Sequence, residues 1–272
     1  MPPPGDPGFA LEFDGNNDFV ELHETDLIFA PGWKSLKSVS LWVRPMGVAT
    51  MCDNQDVAKC DNIFGDRPRW WGISRGIRNG VDRIWVWNYD GDYDIIGVPY
   101  TSDEWVQITM VHSGGMLAAY KDGALIDSIP SGETLQPPAS PVLHLGAIIT
   151  GDNWPFEGQI DEVRLWNTAL SQEDIISTLY WPLEGDEPGL AAYYAMSDGA
   201  GLTLTDDSGN GWTGTLHDGG YGVPPDGSPP EWVDSGAFGV FQHADRNFSA
   251  ALNLLVNTWE RAVNYFQALF TP

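Results

Sequence analysis

The chain is cut into short alternating runs by turn residues, and this limits its fold more than any other feature. Phe9-Ala10-Leu11-Glu12-Phe13 alternates apolar and polar, meets Asp14-Gly15-Asn16-Asn17, and resumes as Phe19-Val20-Glu21-Leu22, the pattern of a hairpin. Further strands are expected at Ser38 to Arg44, Arg83 to Asn88, Trp105 to His112 and Met116 to Lys121. After the turn Lys121-Asp122-Gly123 follow Ala124 to Ile129, Val142 to Ile148 and Gly158 to Trp166. With 31 Gly and 20 Pro in 272 residues, these runs predict an all-β antiparallel sandwich or jelly roll rather than a helical bundle. The 33 aromatic residues (13 Trp, 9 Tyr, 11 Phe) supply a packed core.

Charge removes two classes of partner. With 13 Lys+Arg against 38 Asp+Glu the formal net charge is -25, which repels nucleic acid and anionic lipid alike. No apolar run approaches the roughly 18 residues of a membrane span, so no membrane insertion is expected. Met1-Pro2-Pro3-Pro4-Gly5 has neither the basic nor the apolar region of a secretory signal. An extracellular destination therefore requires a signal already removed, or release without one, as by lysis.

Four motifs occur in order: Phe13-Asp14-Gly15-Asn16-Asn17-Asp18-Phe19-Val20; Val39-Ser40-Leu41-Trp42-Val43-Arg44-Pro45; Tyr120-Lys121-Asp122-Gly123; and Gly158-Gln159-Ile160-Asp161-Glu162-Val163-Arg164-Leu165-Trp166-Asn167-Thr168-Ala169-Leu170. In this order they resemble laminin-G-like (pentraxin-like) domains of the concanavalin A-like lectin/glucanase superfamily, over roughly Phe9 to Trp181. The resemblance implies a two-sheet antiparallel jelly roll, extracellular, calcium-binding, and used to recognise sugar or protein. It divides the chain into a sandwich over 1–181, a β-rich Gly/Pro-containing extension over 182–244 and an amphipathic helix over 245–272. Only 2 of the 13 basic residues lie beyond Pro182, against 12 of the 38 acidic ones, which marks the change of character.

Calcium wants six to eight oxygens offered by tight turns. Asp14, Asn16 and Asp18 offer them in one turn, and the resemblance implies a late partner, Asp161. The same turn is equally explained by Asp14 and Asn16 bonding their own backbone. Asp90-Gly91-Asp92-Tyr93-Asp94 opens like an EF-hand loop, but Ile95 stands where glycine is needed and Thr101 where glutamate is needed.

Ligand recognition is expected where positive charge concentrates. Arg67, Arg69, Arg75, Arg78 and Arg83 interleave with Trp70, Trp71, Trp85 and Trp87, and Trp154 stands in the loop Gly151-Asp152-Asn153-Trp154-Pro155. Guanidinium forks clamp carboxylates or sulfates while indoles stack, so an acidic glycan or an acidic protein patch suits Arg67, Arg69, Trp70, Trp71, Arg75, Arg78 and Trp154. The competing reading makes the Trp85 strand core and pairs the arginines internally with Asp66, Asp82 or Asp90. Trp42 and Trp166 are expected in the core. Cys52 and Cys60, nine positions inclusive, suit a disulfide and an oxidising compartment; two free thiols are the alternative, and zinc lacks further ligands.

No catalytic pattern appears. The paired acidic residues of glucanase strands are missing, as are Gly-x-Ser-x-Gly, His-Glu-x-x-His and a phosphate loop. At the C-terminus, Phe248, Leu252, Leu255, Trp259, Val263 and Phe266 fall at helical steps over about 25 residues, near 37 Å. That face packs either on its own sandwich or on a neighbouring copy. The expected protein is thus a non-enzymatic calcium-binding recognition or adhesion module for a glycan or cell-surface partner. The alternative is a structural subunit of a virion or extracellular filament, a homo-oligomer assembling through Phe248, Leu252, Leu255, Trp259 and Phe266.

Overall fold

The computed structural model describes residues 8–22, 36–52, 56–67, 71–132, 142–147, 154–219, 225, 227–235 and 237. Two antiparallel sheets face one another. The first runs β10 (Ala124–Pro130), β9 (Met116–Lys121), β8 (Val106–Ser113), β3 (Ser38–Pro45), β12 (Glu157–Trp166), β1 (Phe9–Asp14) and β16 (Glu231–Asp234), with β13 (Leu190–Tyr194) also paired to β12. The second runs β14 (Thr203–Leu204), β15 (Gly214–Asp218), β2 (Asp18–Leu22), β11 (Val142–Leu145), β4 (Asp61–Arg67), β5 (Trp71–Arg78), β6 (Val81–Tyr89) and β7 (Tyr93–Val98).

Alternation decides which side chains meet between the sheets. Val39, Leu41 and Val43 of β3 and Ile108 and Met110 of β8 pack against Ile73 of β5 and Val86 of β6, all in one buried cluster. Burying each such side chain contributes about 1.5–3 kcal/mol. The outer face of the first sheet is covered in turn by α1 (Gln172–Thr178) and its flanks, where Val111, Trp166, Ile175 and Tyr193 form a second cluster. Helix α1 begins with a reciprocal cap: Ser171 accepts from the Asp174 N–H while the Asp174 carboxylate accepts from the Ser171 N–H.

Two expectations need amendment. The opening strands do not form a hairpin: β1 pairs with β12 and β16, whereas β2 pairs with β11 and β15. Asp14 to Asp18 is a corner that carries the chain from one sheet to the other. Alternation specifies which side chains face inward but not which sheet holds the strand, so the two arrangements look alike in sequence. Strands β4, β5 and β7 were also not expected; β4 and β5 lie in the middle of the second sheet and β7 at its edge. The strands of the 182–244 extension continue both sheets, β13 and β16 in the first and β14 and β15 in the second. The expected helix over 245–272, with Phe248, Leu252, Leu255, Trp259 and Phe266, lies outside the described residues.

Candidate functional site

The arginine and tryptophan cluster divides into structural and accessible members. Arg75, in the middle of β5, is 1% exposed. Its Nε and Nη2 donate to one oxygen of Asp61 at 3.1 and 2.8 Å, and its Nη1 donates to the Met46 carbonyl. It therefore ties the 46–48 segment to the sheet and presents nothing to a ligand. Trp71 is 4% exposed and packs its ring on Phe64 at 5.5 Å within the core. Arg67 ends β4 in backbone only, and Arg69 and Trp70 lie outside the described residues.

Arg78 and Trp154 remain half-buried. The Arg78 guanidinium lies 6.0 Å from the centroid of the Trp85 ring, and the Lys59 ammonium lies 5.9 Å from that of Trp154. Both pairs border one loop. Cys52 and Cys60 are joined by a disulfide, and the loop they close packs Val57 and Ala58 on Trp87, with Trp85, Tyr93 and Ile95 at its edge. The sheet beneath accommodates the loop through glycine: a Cβ at Gly76 would stand 2.3 Å from Cys52 Sγ. Asn62 donates to the Ala58 and Cys60 carbonyls at 3.0 and 2.9 Å, and Tyr93 Oη donates to Asp56 at 2.7 Å. Lys59 is thereby held beside Trp154 on a braced loop, its ammonium also 4.0 Å from the Asp56 carboxylate, and Trp85 is anchored by its Nε1–H on the Gly76 carbonyl at 2.8 Å. Two indole–cation pairs in a chain of charge -25 form a surface suited to anionic groups with an apolar face.

The four residues expected to bind calcium do not form one site. Asp14 accepts from the Asn16 N–H and Nδ2 at 2.8 and 2.9 Å, and Asp18 accepts from the Asp14 N–H at 3.2 Å, so three of them make a self-bonded corner. Asp161 lies four residues further along the ladder than Glu157, the partner of Asp14, or about 13 Å away. Its carboxylate accepts from Ser235 Oγ and from the Glu162 N–H. Among the described residues, no group of three or more His, Cys, Asp and Glu side chains converges to hold a metal.

Asp161 and Glu162 instead belong to a buried polar cluster. The β12 register against β3 slips between Asp161 and Arg164, and Glu162 takes φ 52°, in the left-handed region. Glu162 receives Arg164 Nη2 at 2.6 Å and the Tyr193 hydroxyl at 2.8 Å. Arg164 also donates to the Thr178 and Trp181 carbonyls, pinning the segment that follows α1. Burial pushes the Asp161 carboxyl well above the ordinary carboxylate range, with the neighbouring Glu162 charge adding to it. Burial raises Glu162 too, against the opposing pull of Arg164. At 2% and 4% exposure neither carboxyl can touch a substrate.

Comparison with known proteins agrees with this architecture. The family described as the Concanavalin A-like lectin/glucanases superfamily, of laminin G type, matches residues 14–176. The chain belongs to it. No curated protein matches the sequence. Among solved structures, this member of the superfamily resembles a provisionally named carbohydrate binding protein from Bacteroides ovatus, at 17% identity and a TM-score of 0.57. That likeness covers 82% of this chain and 61% of the other, so the chain spans about three fifths of that protein's length. The native heptameric SAP-like pentraxin from Limulus polyphemus is similar at 14% identity, over 63% of this chain and 81% of its own, with a TM-score of 0.46. Domain 4 of an extracellular arabinanase from Geobacillus stearothermophilus, solved with arabinotriose, reaches 22% identity and 0.40, over 53% and 66%.

Lys59, which faces Trp154, was not among the expected binding residues, and Trp85, which faces Arg78, stood in the expected arginine and tryptophan cluster but not among the residues expected to bind. Lys59 carried a usable signal, as a lone cation inside the Cys52–Cys60 loop. For Trp85 the sequence leaves cluster and core both open, because its spacing from Trp87 reads the same whether that face is covered or open.

Proposed function

We propose that this superfamily member is a non-enzymatic recognition module that binds an acidic glycan, or an acidic patch on a cell-surface partner. The ligand contacts the outer face of the second sheet, where Arg78 and Trp85 stand on one border of the disulfide loop and Lys59 and Trp154 on another. The single observation carrying this reading is that pair of half-buried indole–cation contacts, at 6.0 and 5.9 Å, in a strongly acidic chain. Indole faces take the apolar side of a sugar ring, and the cations take its sulfate or carboxylate. The non-enzymatic part is supported by the burial of Asp161 and Glu162, two carboxyls raised above the ordinary range and 2% and 4% exposed. The carbohydrate-binding name of the Bacteroides ovatus protein agrees with the reading. The Cys52–Cys60 bond is consistent with an oxidising, extracellular or virion-surface setting.

Isothermal titration with a heparin-derived octasaccharide tests it. Saturable, salt-sensitive binding that weakens about tenfold or more in Arg78→Ala and Trp154→Ala, with unchanged melting, is the expected result. Equal binding by both variants, or none by the parent, overturns it. The assembly reading rests on 245–272; light scattering of the full chain and of a chain ending at Ala244 compares their oligomeric states, and the same state in both removes that reading.

A further inference from the structure

The outer face of the first sheet carries an apolar band that α1 covers only in part. Ile176 of α1 and Leu125 of β10 are 55% and 48% exposed, and Tyr180, just after α1, is 36% exposed. The band is continuous. A Cβ at Gly123, at the turn into β10, would stand 2.9 Å from the Ile176 side chain, and the Tyr180 ring lies 5.9 Å from that of Trp42. Leu125 sits opposite Tyr120, which packs on the α1 cluster, while Trp42 forms a further cluster with Leu179, against which Trp105 and Ala237 pack. We infer that residues 245–272 of the same chain cover this band, with the stripe of Phe248, Leu252, Leu255, Trp259, Val263 and Phe266 laid against it.

Three observations name that occupant. First, the chain is already led onto this face. Ser235 Oγ donates to Asp161, the Ala237 N–H donates to Ser235 Oγ at 3.2 Å, and Asp161 is the ladder partner of Trp42. Ala237 therefore rests at one end of the band, and a segment tethered there meets it at a far higher local concentration than a separate copy does. Second, the lengths match. From Ala237 to Asp245 the extended chain reaches about 26–29 Å. Four strand spacings, about 19 Å, separate β12 from β10, and the stripe from Phe248 to Phe266 runs about 27 Å as a helix, enough to cross the band from end to end. Third, charge favours this segment. The band is edged by Asp122, Asp127 and Glu173, against Lys121. Arg246 and Arg261 are the two basic residues beyond Pro182, and with Asp245 and Glu260 they leave 245–272 without net side-chain charge. A second copy of charge -25 is repelled from the same face. Docking also takes out of water a stripe and a band that would otherwise both stay exposed.

The test uses the full-length protein carrying 13C-methyl isoleucine and methionine, with a neutral gadolinium chelate in solution as relaxation probe. The expected result is an Ile176 methyl shielded from the chelate in a protein that light scattering shows to be monomeric, and shielded equally on dilution. The Met51 methyl, 70% exposed and away from the band, relaxes freely and serves as control. Leu255→Asp, on the stripe, loses the shielding while the sandwich still melts cooperatively. Asn257→Asp, off the stripe, retains it. An Ile176 methyl as accessible in the parent as in Leu255→Asp overturns the inference. Shielding that appears only as the protein self-associates also overturns it, and gives the band to a second copy. Heparin binding is read on the other sheet, so the glycan reading and this one fail separately.

Discussion

The guanidinium of Arg75 and the carboxylate of Asp61 meet at 2.8 Å with their side chains 1% and 2% exposed. Asp61 also accepts from the Thr50 N–H at 3.3 Å, so the pair joins the middle of the second sheet to the segment before the disulfide loop. Replacing one partner strands the other. Arg75→Met is expected to lose about 3–5 kcal/mol in urea unfolding, and adding Asp61→Asn to recover a large part of that loss. Arg78→Ala, three residues away, is expected to leave stability within about 0.5 kcal/mol.

The disulfide loop is a second stabilising element. Removing the bond by Cys52→Ser with Cys60→Ser is expected to cost about 2.5 kcal/mol, from the chain entropy of closing a loop of this size. Trp87, 0% exposed beneath the loop, should then become more accessible to acrylamide, read as increased fluorescence quenching.

Stability should depend on pH through Asp161. Its folded-state carboxyl is held protonated well above the ordinary range by burial and by Glu162, while the unfolded chain releases that proton near pH 4. The raised value means that its contribution is complete below about pH 4 and is lost as pH rises toward the folded-state value. Asp161→Asn keeps the shape without the charge. Its melting temperature is expected to equal or exceed that of the parent at pH 8, with a flatter profile between pH 4 and pH 8.

Asp14→Asn tests the corner between the sheets. Asn16 loses a charged acceptor for its N–H and Nδ2, and a loss of about 1 kcal/mol is expected. Because Asp14 and Asp161 stand apart, thermal melting should show the same loss in calcium and in excess chelator.

The sequence made the architecture legible wherever polarity alternated without interruption. β9 spans Met116–Lys121, as expected, and β3, β6, β8 and β12 lie within a residue or two of their expected runs. Strands β4 and β5 were hidden because Gly65, Gly72 and Gly76 interrupt the pattern. Two of these glycines are needed by neighbours distant in sequence: a Cβ at Gly72 would stand 2.8 Å from the Trp87 ring, and one at Gly76 would meet the Cys52 sulfur. The candidate site was half legible. Local basicity pointed to the right stretch of chain, but Arg75 and Arg78 sit three positions apart with opposite fates. Only the burial of Asp61 beside one and the half-open Trp85 beside the other separates them.

The pairing of β1 with β12 and β16, and of β2 with β11 and β15, carries a consequence for synthesis. Strands β1 and β2 leave the ribosome before any of their partners: the nearest along the chain, β11, begins at Val142, and the last, β16, at Glu231. Neither sheet can close until most of the chain has been translated, so the nascent N-terminal strands emerge with open edges and depend on the solubility that their acidic surroundings provide.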